Sequence, residues 1–357
     1  MDNLQQNHEM LHKLLNIAKQ RKPNFNNILK VLNNERPNRP TLFEFFLNDN
    51  MYEELANKSV VGLSFHEYNI LKMEAYRNAG FDFFTLSYPK NMLFETKSHE
   101  MGESISLNDT AIITNIDDFN KYNWPDINKS DLTYITKLEK VVPKGMKAIA
   151  YCPGGLLENV MQLIGYDNMC YLLYDDKQFL ELVFNKVGQI LLDFYKAIVD
   201  FDIIGAFIVN DDWGFNTQTM LAFKDMKKYV IPWHTKIVEV IHKSSKKAIL
   251  HSCGNLDSVM DIIINDIKYD AKHSFEDNII SVEDAYQKWG DKIAILGGID
   301  LDFIYNKNSK EIAKRAKNLL RITNKKGGYA LGTGNSVPHY IENEKYYALI
   351  LTALETH

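Results

Sequence analysis

The fragment Ile249-Leu250-His251-Ser252-Cys253-Gly254-Asn255 carries the clearest chemistry in the chain. In extended backbone, residues i and i+2 point the same way, so His251 and Cys253 converge on one spot. An imidazole nitrogen and a thiolate are two donors that zinc prefers, and a catalytic zinc takes three protein ligands and keeps one position open. The same pair also suits a core histidine beside an inert buried cysteine. Its place after a strand puts the metal on an equal footing with that alternative. Cys152 and Cys170 lie on distant segments, so the third ligand must be another donor. Glu276, three residues past a neighbouring strand, is the expected oxygen ligand, with His273 and Asp211 or Asp212 as rivals. Asp211 and Asp212 could instead orient a substrate hydroxyl, hold the second histidine nitrogen or cap a helix. With Tyr151 they are the candidate catalytic residues. Gly332-Thr333-Gly334-Asn335 is the candidate cofactor-binding loop, because Gly332 and Gly334 allow close approach of backbone to a ligand. No lysine follows these glycines as in a P-loop. With no G-x-S-x-G and no H-E-x-x-H, the corresponding hydrolase and metalloprotease templates fail.

These groups share one feature, a place just after a short apolar run. Eight such runs read as strands: 42–47, 81–86, 147–151, 203–209, 247–251, 269–273, 293–296 and 329–332. Between them lie helical patterns, clearest over 223–243 and 312–324. Strands alternating with helices imply parallel pairing. Eight of them favour an α/β fold of the (β/α)8 TIM-barrel type, whose reactive groups stand at the C-terminal strand ends. A doubly wound open sheet is the other solution, but Gly154-Gly155 lacks the G-x-G-x-x-G frame that sheet would want. Residues 1–38 read as an N-terminal helical extension ending at Arg36-Pro-Asn-Arg-Pro40, and 39–357 as a single barrel domain. The irregular stretch 88–135 reads as an insertion or a lid over the barrel mouth.

Composition narrows the function. Of 357 residues, 45% are apolar and 24% charged, which is globular composition. No run of about 18 apolar residues exists and the first forty residues are polar, so neither a membrane span nor a secretory signal is expected. A net charge of −5 without a basic block argues against nucleic acid. Three scattered cysteines exclude a disulfide framework and point to the cytoplasm. Aromatic residues Phe43–Phe46, taken as exposed, would permit a homodimer.

The runs His251-Ser-Cys-Gly-Asn255, His273-Ser-Phe-Glu-Asp277, Gly297-Gly-Ile-Asp300 and Gly332-Thr-Gly-Asn-Ser-Val-Pro338, with Cys152-Pro-Gly-Gly155, resemble the uroporphyrinogen decarboxylase superfamily. The likeness runs from about residue 40 to the end and implies a (β/α)8 barrel, in agreement with the strand count. It implies one of two chemistries: cofactor-free decarboxylation of uroporphyrinogen, or zinc-dependent methyl transfer linked to a corrinoid, as in methylcobamide:coenzyme M methyltransferase. The decarboxylases carry an R-Q-A-G-R-Y motif that Arg36 and Arg39 do not match. Six arginines among 41 basic residues also serve an eight-carboxylate substrate poorly. His251-x-Cys253 matches the histidine and first cysteine of the methyltransferase zinc site. The third ligand there is a cysteine in the late glycine loop, where this chain has Asn335, so Glu276 or another carboxylate or histidine must replace it. The resemblance therefore implies a zinc-dependent methyltransferase working between the corrinoid of a partner protein and a small methyl donor or acceptor. The alternatives are a metal-free decarboxylase and a non-catalytic corrinoid- or tetrapyrrole-binding protein.

Overall fold

The computed structural model describes residues 3–96, 108 and 111–356. Seven strands pair in parallel and in chain order: β1 Phe83–Leu86, β2 Lys147–Tyr151, β3 Ile204–Asn210, β4 Lys247–His251, β5 Ala271–His273, β6 Ala294–Leu296 and β7 Tyr329–Ala330. Apart from β5 (Ala-Lys-His) they are largely apolar runs, buried on both faces as expected where helices cover a parallel sheet. The runs expected as strands from 81 onward all fall on these seven.

The run at 42–47 does not form an eighth strand of that length. It makes one parallel bridge, Leu42 to Leu331, with Phe43 N–H donating to Leu331 at 2.8 Å and Leu331 N–H to Thr41 at 2.8 Å. The Phe43 ring then stacks on Phe83 of β1, 5.6 Å between centroids. The ladder stops there because the next carbonyls are engaged elsewhere: the Tyr76 hydroxyl lies 3.3 Å from the Glu44 oxygen and 2.9 Å from that of Phe45. Phe43 and Phe45 are buried, so this segment presents no exposed aromatic face for the dimer expected from sequence.

The helical pattern over 223–243 is broken in the structure. A short turn Phe223–Asp225 and a wide π-turn Met226–Val230 precede the helix Ile231–Lys243. Pro232 explains this, since it has no N–H to give to the preceding turn. The pattern at 312–324 becomes Ser309–Thr323, started by the Asn308 side chain accepting from the N–H groups of Lys310 and Glu311. In the stretch 88–135, residues 97–107 and 109–110 lie outside the described residues. Of the described part, Phe119 meets Phe179 and Trp124 lies under Lys186, both on the helix Lys177–Ile198, while Tyr88 meets Tyr151 at the end of β2. Among the described residues no helix is long and apolar enough to cross a membrane.

The N-terminal helices Asn3–Gln20 and Asn26–Leu32 are docked rather than appended. Leu14 and Ala18 are buried, and the Asn3–Gln20 helix packs on the C-terminal helix Asn343–Glu355, where Gly80 leaves room for Leu354. Leu14→Ala is therefore expected to cost about 2–4 kcal/mol. Urea unfolding followed by circular dichroism should show this as a shift of the main transition, without a separate early one.

Candidate metal centre

Cross-strand register assembles the site. Asn210 of β3, His251 of β4 and His273 of β5 stand side by side at the C-terminal ends of adjacent strands. Two residues beyond Asn210 comes Asp212, and two beyond His251 comes Cys253. The ligand atoms of Asp212, His251 and Cys253 lie within 4.8 Å of one another. Asp212 is fixed there by the backbone, its Oδ1 accepting from the Cys253 N–H at 2.8 Å. Burial, with Asp212 beside it, pushes the Cys253 thiol up, and burial raises the Asp212 carboxyl as well.

A chain of hydrogen bonds selects the histidine atom that can ligate. His273 Nε2 lies 3.0 Å from the Thr333 carbonyl oxygen, which only accepts, so Nε2 carries the hydrogen. Burial lowers His273 to about 3, so the ring is neutral and its Nδ1 is bare. His251 Nδ1, 2.7 Å away, must then donate to it. Burial and the neighbouring His273 also keep His251 neutral. The lone pair of His251 is thereby left on Nε2, the arrangement found in metal-ligating histidines whose other nitrogen is held by a protein acceptor.

The remaining candidate residues are placed as follows. Glu276 is not among the converging three; its Oε1 accepts from the Gly254 N–H at 3.3 Å, on the loop carrying Cys253. His273 has both nitrogens engaged and has none to offer a metal. Asp211 is fully buried and faces away from the trio. It accepts from the N–H groups of Leu157 (3.1 Å) and Glu158 (3.0 Å), from the Trp213 indole (2.8 Å) and from His234 Nε2 (2.9 Å). It thus caps the helix Leu156–Ile164 that follows β2. Tyr151 is half-buried at the end of β2, its hydroxyl 2.9 Å from Ser87 Oγ. The room that Gly332 and Gly334 leave is filled by protein: a Cβ would lie 1.7 Å from the Phe43 carbonyl oxygen and 2.2 Å from that of Phe275. Asn335 acts on the sulfur, its Nδ2 donating to Cys253 Sγ at 3.3 Å while its Oδ1 accepts from the Ser336 N–H. Cys152 is a buried thiol pushed up to about 12 by desolvation, hence inert.

Several working residues escaped the sequence reading. Glu158 lies against Asp211 and Asp212, and burial with these neighbours raises it to about 8. His234 gives no signal beyond its helical spacing. Lys272 is a buried lysine between Ala271 and His273, and its Nζ donates to the carbonyls of Ser252 (3.3 Å) and Ser274 (2.6 Å), tying the loop that carries Cys253 to the loop after β5.

Glu44 lies beneath the same network. Fully buried and pushed up to about 8 by desolvation, it is protonated at neutral pH. Its hydroxyl can then donate to Thr333 Oγ1, 2.7 Å away, which frees the Thr333 hydrogen for the Asn335 carbonyl oxygen.

With this geometry in place, comparison with known proteins assigns the chain to a class. Its residues 70–355 match the uroporphyrinogen decarboxylase (URO-D) family model, and the chain belongs to that family. Among solved structures it is similar to a methyltransferase from Methanosarcina mazei, with TM-score 0.67 and 13% identity over 92% of this chain and 97% of that one, a shared fold. It is also matched, at TM-score 0.45 and 11% identity over 89% of this chain and 98% of the other, by a protein assigned as a vitamin-B12-independent methionine synthase from Listeria monocytogenes. No curated protein sequence matches the chain.

Gly155→Ala would place a Cβ 2.1–2.3 Å from the Asp211 side chain, so about 1–3 kcal/mol of stability should be lost in urea titrations. Glu44 binds its proton more tightly folded than unfolded, so its contribution to stability is lost as pH rises from the ordinary carboxylate range through about 8. Glu44→Gln keeps a donor to Thr333 and should remove this loss, on the order of a few kcal/mol. Urea midpoints of both proteins at pH 6 and pH 8.5 test it, and parallel changes in the two would refute it.

Proposed function

We propose that this protein is a zinc-dependent methyltransferase moving a methyl group between the corrinoid of a partner protein and a small thiol- or oxygen-bearing substrate in the cytoplasm. The observation that carries this reading is the convergence of one nitrogen, one sulfur and one oxygen donor at Asp212, His251 and Cys253. A catalytic zinc takes three protein ligands and leaves one position open, and this donor set fits it. His251 Nε2, Cys253 Sγ and a carboxylate oxygen of Asp212 would hold the ion. When bound, zinc supplies Lewis acidity toward the substrate heteroatom that carries or receives the methyl group. The protein's own part is orientation. His273 keeps the Nε2 lone pair of His251 available, Asn335 donates to the Cys253 sulfur, and the Cys253 N–H fixes Asp212. Tyr151 stands at the neighbouring strand end, where it would orient the substrate. The reading also takes residues 39–357 as one barrel, with the Leu42 bridge in the eighth position.

The placement of the arginines favours methyl transfer over decarboxylation of a polycarboxylate. Arg39 pairs with Asp82 just before β1, and Arg21 donates to the Pro40 carbonyl. Arg36 and Arg321 border a pocket beside the start of β7, and Arg77 borders another beside the N-terminal helix. Arg315 is held by Asp277 and Glu283. No arginine is left free at the strand ends to grip substrate carboxylates.

Elemental analysis of the purified protein should find about one zinc per chain. Asp212→Ala, His251→Ala and Cys253→Ala should each remove most of it, and Glu276→Gln should leave it in place. Zinc absent from the wild type, or lost with Glu276 and kept without Asp212, overturns the assignment.

A further inference from the structure

The end of the sheet opposite the metal ligands carries a cavity bordered by charge of one sign. The protein as a whole has a net charge of −5 and only six arginines. Residues 307–326, which hold the helix Ser309–Thr323, nevertheless contain eight basic residues against Glu311 alone. Lys317, Leu320 and Arg321 fall at i, i+3 and i+4 on that helix, so they share one face. All three border a cavity of about 270 Å3 beside the start of β7, which Arg36 and Arg39 border as well.

Backbone contacts hold these charges in place. The Glu35 carbonyl accepts from the Gly328 N–H at 3.0 Å and the Thr41 carbonyl from the Leu331 N–H at 2.8 Å, which pins segment 36–40 at both ends. Pro37 and Pro40 stiffen the chain between these anchors. Gly327 has a φ of +87°, and a Cβ there would lie 2.3 Å from the Arg36 nitrogen. Only glycine lets the Arg36 backbone come so close to the turn that follows the helix carrying Arg321.

Arg39 is neutralised by the buried Asp82, 2.6 Å away. On the same helix Arg315 is held by Asp277 and Glu283, and just beyond it Lys326 pairs with Asp291. Arg36, Lys317 and Arg321 are exposed, and among the described residues none of them has an ion pair or a side-chain hydrogen bond. No aspartate or glutamate borders the cavity. Positive charges around a hollow repel one another, and an entering anion turns that repulsion into attraction. A guanidinium fork matches the paired oxygens of a carboxylate or a phosphate. At about 270 Å3 the cavity falls below the usual range of ligand sites, ~300–1,000 Å3, so its occupant is compact.

We propose that this cavity is a second ligand site, in which Arg36, Arg321 and Lys317 hold a compact polyanion of the diphosphate or tricarboxylate class. The site goes beyond the methyl-transfer reading and needs no metal. Calorimetric titration with pyrophosphate, tricarballylate and acetate tests it on the wild type, Arg36→Gln, Arg321→Gln, Lys317→Gln and the Arg36→Gln/Arg321→Gln double variant. Each protein is checked for an unchanged circular dichroism spectrum. Arg77→Gln removes the same charge beside a different pocket, and His251→Ala takes away a ligand of the metal that pyrophosphate would otherwise chelate. At least one of the two polyanions should bind the wild type at one site per chain, and acetate should not. The tighter of the two shows whether phosphate or carboxylate oxygens are preferred. Arg36→Gln and Arg321→Gln should each weaken binding about ten-fold, the size of one charge-assisted hydrogen bond, and the double variant more. Lys317→Gln should weaken it less, because an ammonium is a point charge on a flexible stem. Arg77→Gln and His251→Ala should bind as the wild type does. Binding of neither polyanion, equal binding of acetate, unchanged affinity in the double variant, or an equal loss in Arg77→Gln or His251→Ala overturns the site.

Discussion

The site depends on one fully buried carboxylate. Asp211 gathers two backbone N–H groups of the helix after β2, the Trp213 indole and a ring nitrogen of His234. These donors come from three separate elements and converge on two oxygens, so the end of β3 can lie in only one place. The first turn of the Leu156–Ile164 helix gains a negative charge where its backbone dipole favours one. Gly155 is part of the same constraint, because any side chain there would displace the carboxylate. With Asp211 held outward, the next residue, Asp212, is turned toward Cys253.

The second constraint is a direction imposed on hydrogens. Beginning at a carbonyl that can only accept, the Thr333–His273–His251 chain leaves no freedom in either imidazole. A buried histidine pair without that terminal acceptor could shuffle between tautomers, and half of them would present N–H instead of a lone pair. Glu44, protonated at the base of the same loop, keeps Thr333 in position without adding charge beneath an already acidic cluster. Lys272 adds the compensating positive charge from behind, near Cys253, Asp212 and Glu276. In the proposed reading, orientation and charge are thus supplied by different residues.

Strand rhythm made most of the sheet legible, because a buried parallel strand is a short apolar run and little else competes for that pattern. Leu42–Leu47 was overread for the same reason: it is apolar enough to pair, but its carbonyls go to the Tyr76 hydroxyl, a contact 31 residues distant that no local pattern announces. The spacing of His251 and Cys253 was readable because period two is a property of the strand itself. The choice among Glu276, His273 and Asp212 was not. It turns on cross-strand register, which sets Asn210 beside His251 and so carries Asp212, not Glu276, to the sulfur. The roles of Gly332 and Gly334 were hidden likewise, since a glycine required by a neighbouring strand reads the same as one required by a ligand.

The position of Asn335 gains meaning from this register. The resemblance implies a second thiolate there, as the third ligand, on a loop far along the chain from His251. Here all three converging donors come from two adjacent strand ends, β3 and β4, joined by the Cys253-to-Asp212 hydrogen bond. In the proposed reading the late loop supplies no ligand, and the Asn335 amide donates to the sulfur instead. Replacing a soft sulfur donor by a carboxylate oxygen would leave a bound zinc more Lewis-acidic, and the Asn335 N–H would draw charge from the remaining thiolate in the same direction. Both changes favour polarising a heteroatom poorer in electrons than a thiolate. On the proposed reading, an oxygen-bearing substrate would therefore suit this centre better than a thiol.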